Sequence, residues 1–168
     1  ANTARLLAAY RELVAAGAEL VLTPELAVCG YPPRDLLLRS RFVADVENAT
    51  AELAAATGPV PLLVGTVFAN PAPEGRRAFN AAAFCHHGRI QQLAKKCLLP
   101  TYDVFDEDRY FEPAPAPTVI VHAGRRLGVT LCEDIWANES PGDQRLHRFD
   151  PLAALAAERI DVLLNLSA

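Results

Sequence analysis

An apolar, β-prone run from Leu127 to Leu131 stops at Cys132, and two carboxylates, Glu133 and Asp134, follow at once. A short apolar, β-prone run of this kind reads as a buried strand. The strand is rigid while its end is open to other molecules, so a thiol delivered there suits a nucleophile. The competing reading is a small core residue, the ordinary fate of a cysteine.

The rest of the composition narrows the class. A chain of 168 residues with 51% hydrophobic content makes about one domain with a substantial core. A net charge of −4 without a Lys/Arg stripe argues against nucleic acid as a partner. No apolar run is long enough to cross a bilayer, and no signal-peptide pattern opens the chain, so no membrane partner is expected. Cys29, Cys85, Cys97 and Cys132 are too scattered for a disulfide framework, which favours a reducing, cytoplasmic setting. Cys85-His86-His87 lies on a strand-like run whose neighbouring side chains point to opposite faces, so no metal site is expected there.

Periodicity predicts a helix over Ala4 to Ala16, with Leu6, Leu7, Tyr10, Leu13 and Val14 on one face. A short strand follows over Glu19 to Thr23, with Pro24-Glu25 at its end. Cys29 to Pro33 is turn chemistry, and Asp35 is expected to cap a long helix running to about Ala55. Strands are predicted over Pro61 to Ala69, Ala78 to His86 and Arg89 to Lys95, then an irregular segment from Lys96 to Pro117. Thr118 to His122 and Leu127 to Leu131 form a hairpin around Gly124. A polar loop over Asn138 to Phe149 leads to a helix from Pro151 to about Arg159 and a last strand over Asp161 to Leu166. Helices alternating with largely apolar strands, hairpins included, imply a layered α/β fold with a buried mixed sheet.

Three chemically distinct residues fall at strand ends: Glu25, Lys96 and Cys132. In open α/β sheets, sites are built at the C-terminal edges of strands. A thiol needs a base, and a tetrahedral intermediate needs a cation or N–H donor, so Glu, Lys and Cys make a set that needs no histidine. His86 and His87 lie on a strand, His122 precedes a turn, and His147 sits in the polar loop, so a Cys/His pair is disfavoured. Taken singly, each of the three reads more readily as solvated surface charge or core cysteine.

Leu22-Thr23-Pro24-Glu25-Leu26, Lys96-Cys97-Leu98-Leu99-Pro100 and Leu131-Cys132-Glu133-Asp134 resemble, in order, the three catalytic signatures of the nitrilase (carbon–nitrogen hydrolase) superfamily. Gly30 to Leu37, Leu99 to Phe111 and Cys132 to Trp136 are similar to the glutaminase domain of glutamine-dependent NAD synthetases. The resemblance covers nearly the whole chain. It implies an α-β-β-α sandwich and a triad of Glu25, Lys96 and Cys132. It also implies that Tyr102 and Phe105 line a glutamine pocket, with Glu133 close to substrate, and that Glu107 supports the triad. Ordinary loop packing for the two aromatics, and structural salt bridges for the two glutamates, are the other readings.

The implied activity is hydrolysis of the glutamine side-chain amide through a cysteine thioester. The ammonia would pass to a synthetase domain for ATP-dependent NAD synthesis. No cofactor is expected in the amidase domain; ATP and magnesium would serve only the synthetase. A homo-oligomer is implied. Family members open with a strand before the first helix and continue beyond Asn165-Leu166-Ser167-Ala168 into further strands, so residues 1–168 are read as an amidase domain truncated at both ends, with the synthetase domain absent. The alternatives are another amidase or nitrilase of the superfamily, or an inactive fragment or scaffold.

Overall fold

The computed structural model describes residues 2–102, 105–137, 147 and 149–168. Most of the predicted polar loop from Asn138 to Phe149 lies outside them, as do Asp103 and Val104 of the Leu99 to Phe111 motif.

Four layers are present. The first is α1 (Asn2–Ala15) with α2 (Ser40–Ala55). The second is a sheet in the order β1 (Val21–Leu22), β2 (Leu62–Ala69), β3 (Ala78–His86), β4 (Arg89–Lys95). The third is a sheet of β5 (Thr118–His122), β6 (Arg125–Leu131) and β7 (Val162–Leu166), and α3 (Pro151–Ala157) covers it. Each sheet is mixed: β1 runs parallel to β2 and β6 to β7, while the hairpins β2–β3, β3–β4 and β5–β6 are antiparallel. This is the expected α-β-β-α sandwich.

The period-2 pattern of strands explains how two cores arise from one set of apolar runs. Leu62, Val64, Ala83 and Cys85 turn toward the helices and pack with Tyr10, Val43, Val46 and Leu53. Leu63, Ala82 and Phe84 turn the other way and meet Leu127, Val129, Leu131, Leu164 and Leu166 across the sheet interface. Because β2 and β3 are covered on both faces, they carry apolar residues at nearly every position. Leu13, expected on the buried face of α1, is 46% exposed and lies at its edge.

The predicted helix from Asp35 is broken in two. Arg34–Leu38 forms a 3-10 turn, Arg39 is extended at φ −95° and ψ 110°, and α2 starts afresh at Ser40. Asp35 caps nothing. Its carboxylate accepts from the Tyr110 hydroxyl at 2.7 Å and lies 3.8 Å from Arg109, so a tertiary tie outweighs continuation of the helix.

One glycine is a constraint. Gly65 of β2 donates to Thr23 Oγ1 at 2.9 Å, and its carbonyl accepts from Val28 N–H at 3.2 Å, so the turn carrying Glu25 lies directly on bare strand backbone. A Cβ there would clash with the Pro24 carbonyl oxygen and stand 2.7 Å from the Leu26 nitrogen. At Gly128 the added Cβ would meet the tip of the Ile160 side chain, which can rotate away. Gly65→Ala is therefore expected to destabilise by about 1–3 kcal/mol, as overpacking does, and Gly128→Ala by less. Equilibrium denaturant unfolding of the two variants checks the order.

Candidate active site

Three strand ends converge between the two sheets. Glu25 follows β1, Lys96 follows β4 by one residue, and Cys132 follows β6. Lys96 extends the β3–β4 pairing through its N–H to the Asn80 carbonyl, at 2.9 Å, before the chain turns away. Cys132 and Leu26, the residue after Glu25, both adopt left-handed backbone, at φ 42° and 50°. Non-glycine residues are rare there, and such strain clusters at functional turns.

Lys96 is 1% exposed and its ammonium is the centre of the cluster. Nζ donates to Glu25 Oε1 at 2.7 Å and to Glu107 Oε2 and Oε1 at 2.9 and 3.1 Å. An ammonium has three N–H donors, and three carboxylate oxygens take them. Burial works to lower the Lys96 pKa, but the charges of Glu107 and Glu25 outweigh it, and the net direction is up. Lys96 stays charged. For Glu107 burial dominates and pushes the carboxyl up, with Lys96 opposing and the Glu25 charge adding. One cation thus faces two buried carboxylates, and burial drives Glu107 toward protonation.

Glu25 is held on one side only. Oε1 accepts from Lys96 and from Asn80 Nδ2, at 2.7 Å each, whereas Oε2 is buried with no partner among the described residues. A buried acceptor without a donor calls for an explanation, and readiness to receive a proton is one. The half-buried Cys132 thiol lies within electrostatic range of the cluster. Burial raises its pKa, the Glu25 and Glu107 charges raise it further, and Lys96 and a hydrogen bond with Ser167 oppose them. Its resting form is the thiol, which needs a base. The other cysteines are held neutral more simply, since burial pushes Cys29 up to about 11 and Cys85 and Cys97 to about 12.

The remaining predicted residues fall on one side of this centre. Tyr102 is 44% exposed, and its hydroxyl donates to Glu133 Oε2 at 2.7 Å; burial, then that bond, pushes the phenol up to about 12. Its ring stands edge-on to Phe105 at 5.8 Å, and Phe105 lies 6.4 Å from Tyr31. Tyr31 in turn donates to Glu107 Oε1 at 3.1 Å. A cavity of about 510 Å³ lies behind this wall, lined by Leu26, Tyr31, Leu37, Phe105, Glu107 and Phe111, with Cys132 outside its lining.

Several residues of the cluster carried no role in the sequence expectations, Asp134 of the Leu131-to-Asp134 signature among them. Asp134 Oδ1 accepts from the N–H groups of Cys97 and Leu98, at 2.9 and 2.8 Å, and Oδ2 from Leu131 at 3.0 Å. It ties the turn bearing Cys132 to the segment bearing Lys96, and burial pushes its carboxyl up to about 6 against those three donors. Asn80 bridges Glu25 and, at 3.4 Å, Glu107. It is the lone polar residue in the run Ala78 to Cys85, and that is its signal in the sequence. Asn165 accepts from Thr130 at 3.0 Å and donates to Ser167 Oγ at 2.9 Å, extending the chain of contacts that reaches Cys132.

His147, expected in the polar loop, has its Nε2 3.0 Å from Glu133 Oε1, beside the turn that bears Cys132. The expectation that His86 and His87 point to opposite faces is corrected. His87 leaves the strand at φ 50°, which brings the two rings within 4.0 Å, and His122 from the other sheet lies 5.0 Å from His86. Among the described residues no group of three or more His, Cys, Asp or Glu side chains is arranged to hold a metal ion.

Removing the buried cation tests the cluster. Lys96→Met leaves Glu25 and Glu107 facing each other uncompensated, which typically costs about 3–5 kcal/mol at neutral pH. With the cation gone, at least one carboxyl has a folded pKa above its unfolded value of about 4.3. The penalty is absent below that value and grows as pH rises through the folded pKa. Denaturant midpoints of wild type and Lys96→Met are therefore expected to converge near pH 4 and separate toward pH 8.

Comparison with known proteins identifies the family. Residues 1–161 match the carbon-nitrogen hydrolase family. The chain is 42% identical to the glutamine-dependent NAD(+) synthetase of Synechocystis sp., across 99% of this chain and 31% of that protein. It is 34% identical to the protein of the same name from Thermotoga maritima, across 99% and 27%. The chain thus spans about three tenths of these relatives' length. Among solved structures, the glutamine-dependent NAD+ synthetase of Acinetobacter baumannii superposes with a TM-score of 0.79 at 29% identity, covering 99% of this chain and 29% of that one. An amidase from Nesterenkonia sp. gives 0.71 at 22% identity, over 99% and 58%, a likeness of fold. With a family match that spans all three strand ends forming this cluster, the chain belongs to the carbon-nitrogen hydrolase family.

Proposed function

We propose that this chain is the glutamine-hydrolysing part of a glutamine-dependent NAD synthetase, with Glu25, Lys96 and Cys132 as its catalytic residues. The observation that carries the reading is the Glu25 carboxylate, with Oε1 locked by Lys96 and Asn80 and Oε2 left without a partner among the described residues, beside a neutral thiol.

The chemistry follows from the placement of carboxylate, ammonium and thiol. Cys132 Sγ attacks the carboxamide carbon while its proton passes to Glu25 Oε2. Negative charge develops on the carbonyl oxygen, and the backbone N–H next to Cys132 donates to it. Lys96 stabilises it through charge, since a direct bond would require one Glu107 contact to be released. Oxyanion donors of this kind are typically worth about 3–4 kcal/mol. The tetrahedral intermediate collapses as Glu25 gives its proton to the leaving nitrogen. Ammonia departs, and a thioester to Cys132 remains. Water then attacks the thioester, again losing a proton to Glu25, and glutamate and the free thiol result.

Specificity for an amino acid rests on Glu133. It is 3% exposed and adjoins the nucleophile, and each of its oxygens has one protein donor with a second lone-pair site to spare. A fixed anion of this kind suits the α-ammonium of glutamine, and the Tyr102–Phe105 pair suits its methylene chain. In the whole protein the ammonia serves a synthetase domain that uses ATP and magnesium, in the cytoplasm. No helix among the described residues is long and apolar enough to cross a membrane.

The test is intact-mass and peptide mapping of the full-length protein treated with an electrophilic glutamine analogue. A single adduct at Cys132, blocked by excess glutamine and lost in Glu25→Gln, is expected, and Cys132→Ala should release no glutamate. Faster turnover of simple aliphatic amides than of glutamine would instead assign the site to another amidase of the family.

A further inference from the structure

The steps of amide hydrolysis make no use of the bond from His147 to Glu133. Glu133 follows the nucleophile directly, on the 3-10 turn Cys132–Ile135, and its carboxylate is gripped from both sides by residues distant in sequence. Tyr102 donates to Oε2 at 2.7 Å, and His147 Nε2 lies 3.0 Å from Oε1, where a carboxylate can only accept. The two donors arrive from different segments, one from the stretch after β4 and one from the stretch before α3. The His147 side chain is 18% exposed, against 4% for that of Glu133, so the histidine lies on the solvent side of the carboxylate.

We infer that His147 is a positioning residue for substrate recognition: it fixes the Glu133 carboxylate in the orientation that receives the α-ammonium of the amino-acid substrate. The inference rests on the glutaminase reading and deepens it. A carboxylate at the end of a flexible side chain loses rotamer freedom when it binds a cation, and that loss weakens binding. With Tyr102 alone, one oxygen is anchored and the carboxylate can still swing about it. With His147 as well, both oxygens are fixed, and the spare lone pairs stay aimed together. Such a second contact acts through Glu133 and not on the scissile amide. Its loss should therefore show in KM and leave kcat nearly unchanged, and only for substrates that carry the ammonium.

The experiment compares two amides on the full-length protein: glutamine, and glutaric acid monoamide, which lacks the α-amino group. His147→Leu is expected to raise KM for glutamine by about tenfold, the scale of one charge-assisted hydrogen bond, with kcat within about threefold of wild type. The rate on the monoamide should not change, which also reports an intact fold. His147→Gln places an amide N–H near the former Nε2 position and should recover most of the loss. His147→Asn, too short to reach, should behave like the leucine variant and replaces it if leucine prevents folding. Equal impairment on both amides, or no effect on either, overturns the inference while leaving the glutaminase reading in place. A wild-type protein that fails to hydrolyse glutamine overturns both.

Discussion

A single ammonium between two buried carboxylates sets the terms for everything around it. Lys96 is out of water, and each ion there has lost hydration worth several kcal/mol, recovered only if every donor finds an acceptor at good distance. The three contacts to Glu25 and Glu107 satisfy that demand. The cluster still carries one more negative than positive charge when both glutamates are ionised. Burial therefore bears on the proton, pushing Glu107 up and keeping the Cys132 thiol neutral. The cluster thus sets a carboxylate with an unpartnered oxygen near a neutral thiol, without a histidine between them.

Holding that arrangement falls to groups that take no part in charge transfer. Asp134 joins the Cys132 turn to the Lys96 segment through three backbone N–H groups. Glu25 is tied to the second sheet by its N–H to the Ser167 carbonyl at 3.3 Å, and Asn80 links the two carboxylates from β3. These ties run between strand ends from both sheets. The geometry of the site is thus a property of the sandwich as a whole, supported from beneath by the packing of Leu63 and Phe84 on Leu127, Val129 and Leu131.

Much of this was legible in the chain. Apolar runs bounded by Gly and Pro marked the strands, and an acid, a lysine and a cysteine just past three of them marked the site. What escaped were features fixed by contacts between distant segments. Asp35 looked like a helix cap, but its bonds to Tyr110 and Arg109 draw it into a separate turn. His86 and His87 looked divergent because strand alternation was extended one residue too far, into a left-handed turn. His147 gave no local signal, since its partner lies 14 residues away in the chain. Asn80 did give one, a single amide in an apolar strand, and buried polar groups of that kind are costly unless they hold something in place.

The contact between Gly65 and the Glu25 turn also makes the site mechanically lopsided. On that side the Glu25 turn rests on strand backbone with no side chain between, so it has no room to recoil. Tyr102 and Phe105, by contrast, are aromatic side chains that retain exposure to solvent. Compliance therefore lies with these rings and stiffness with the Glu25 turn, on different segments of the chain.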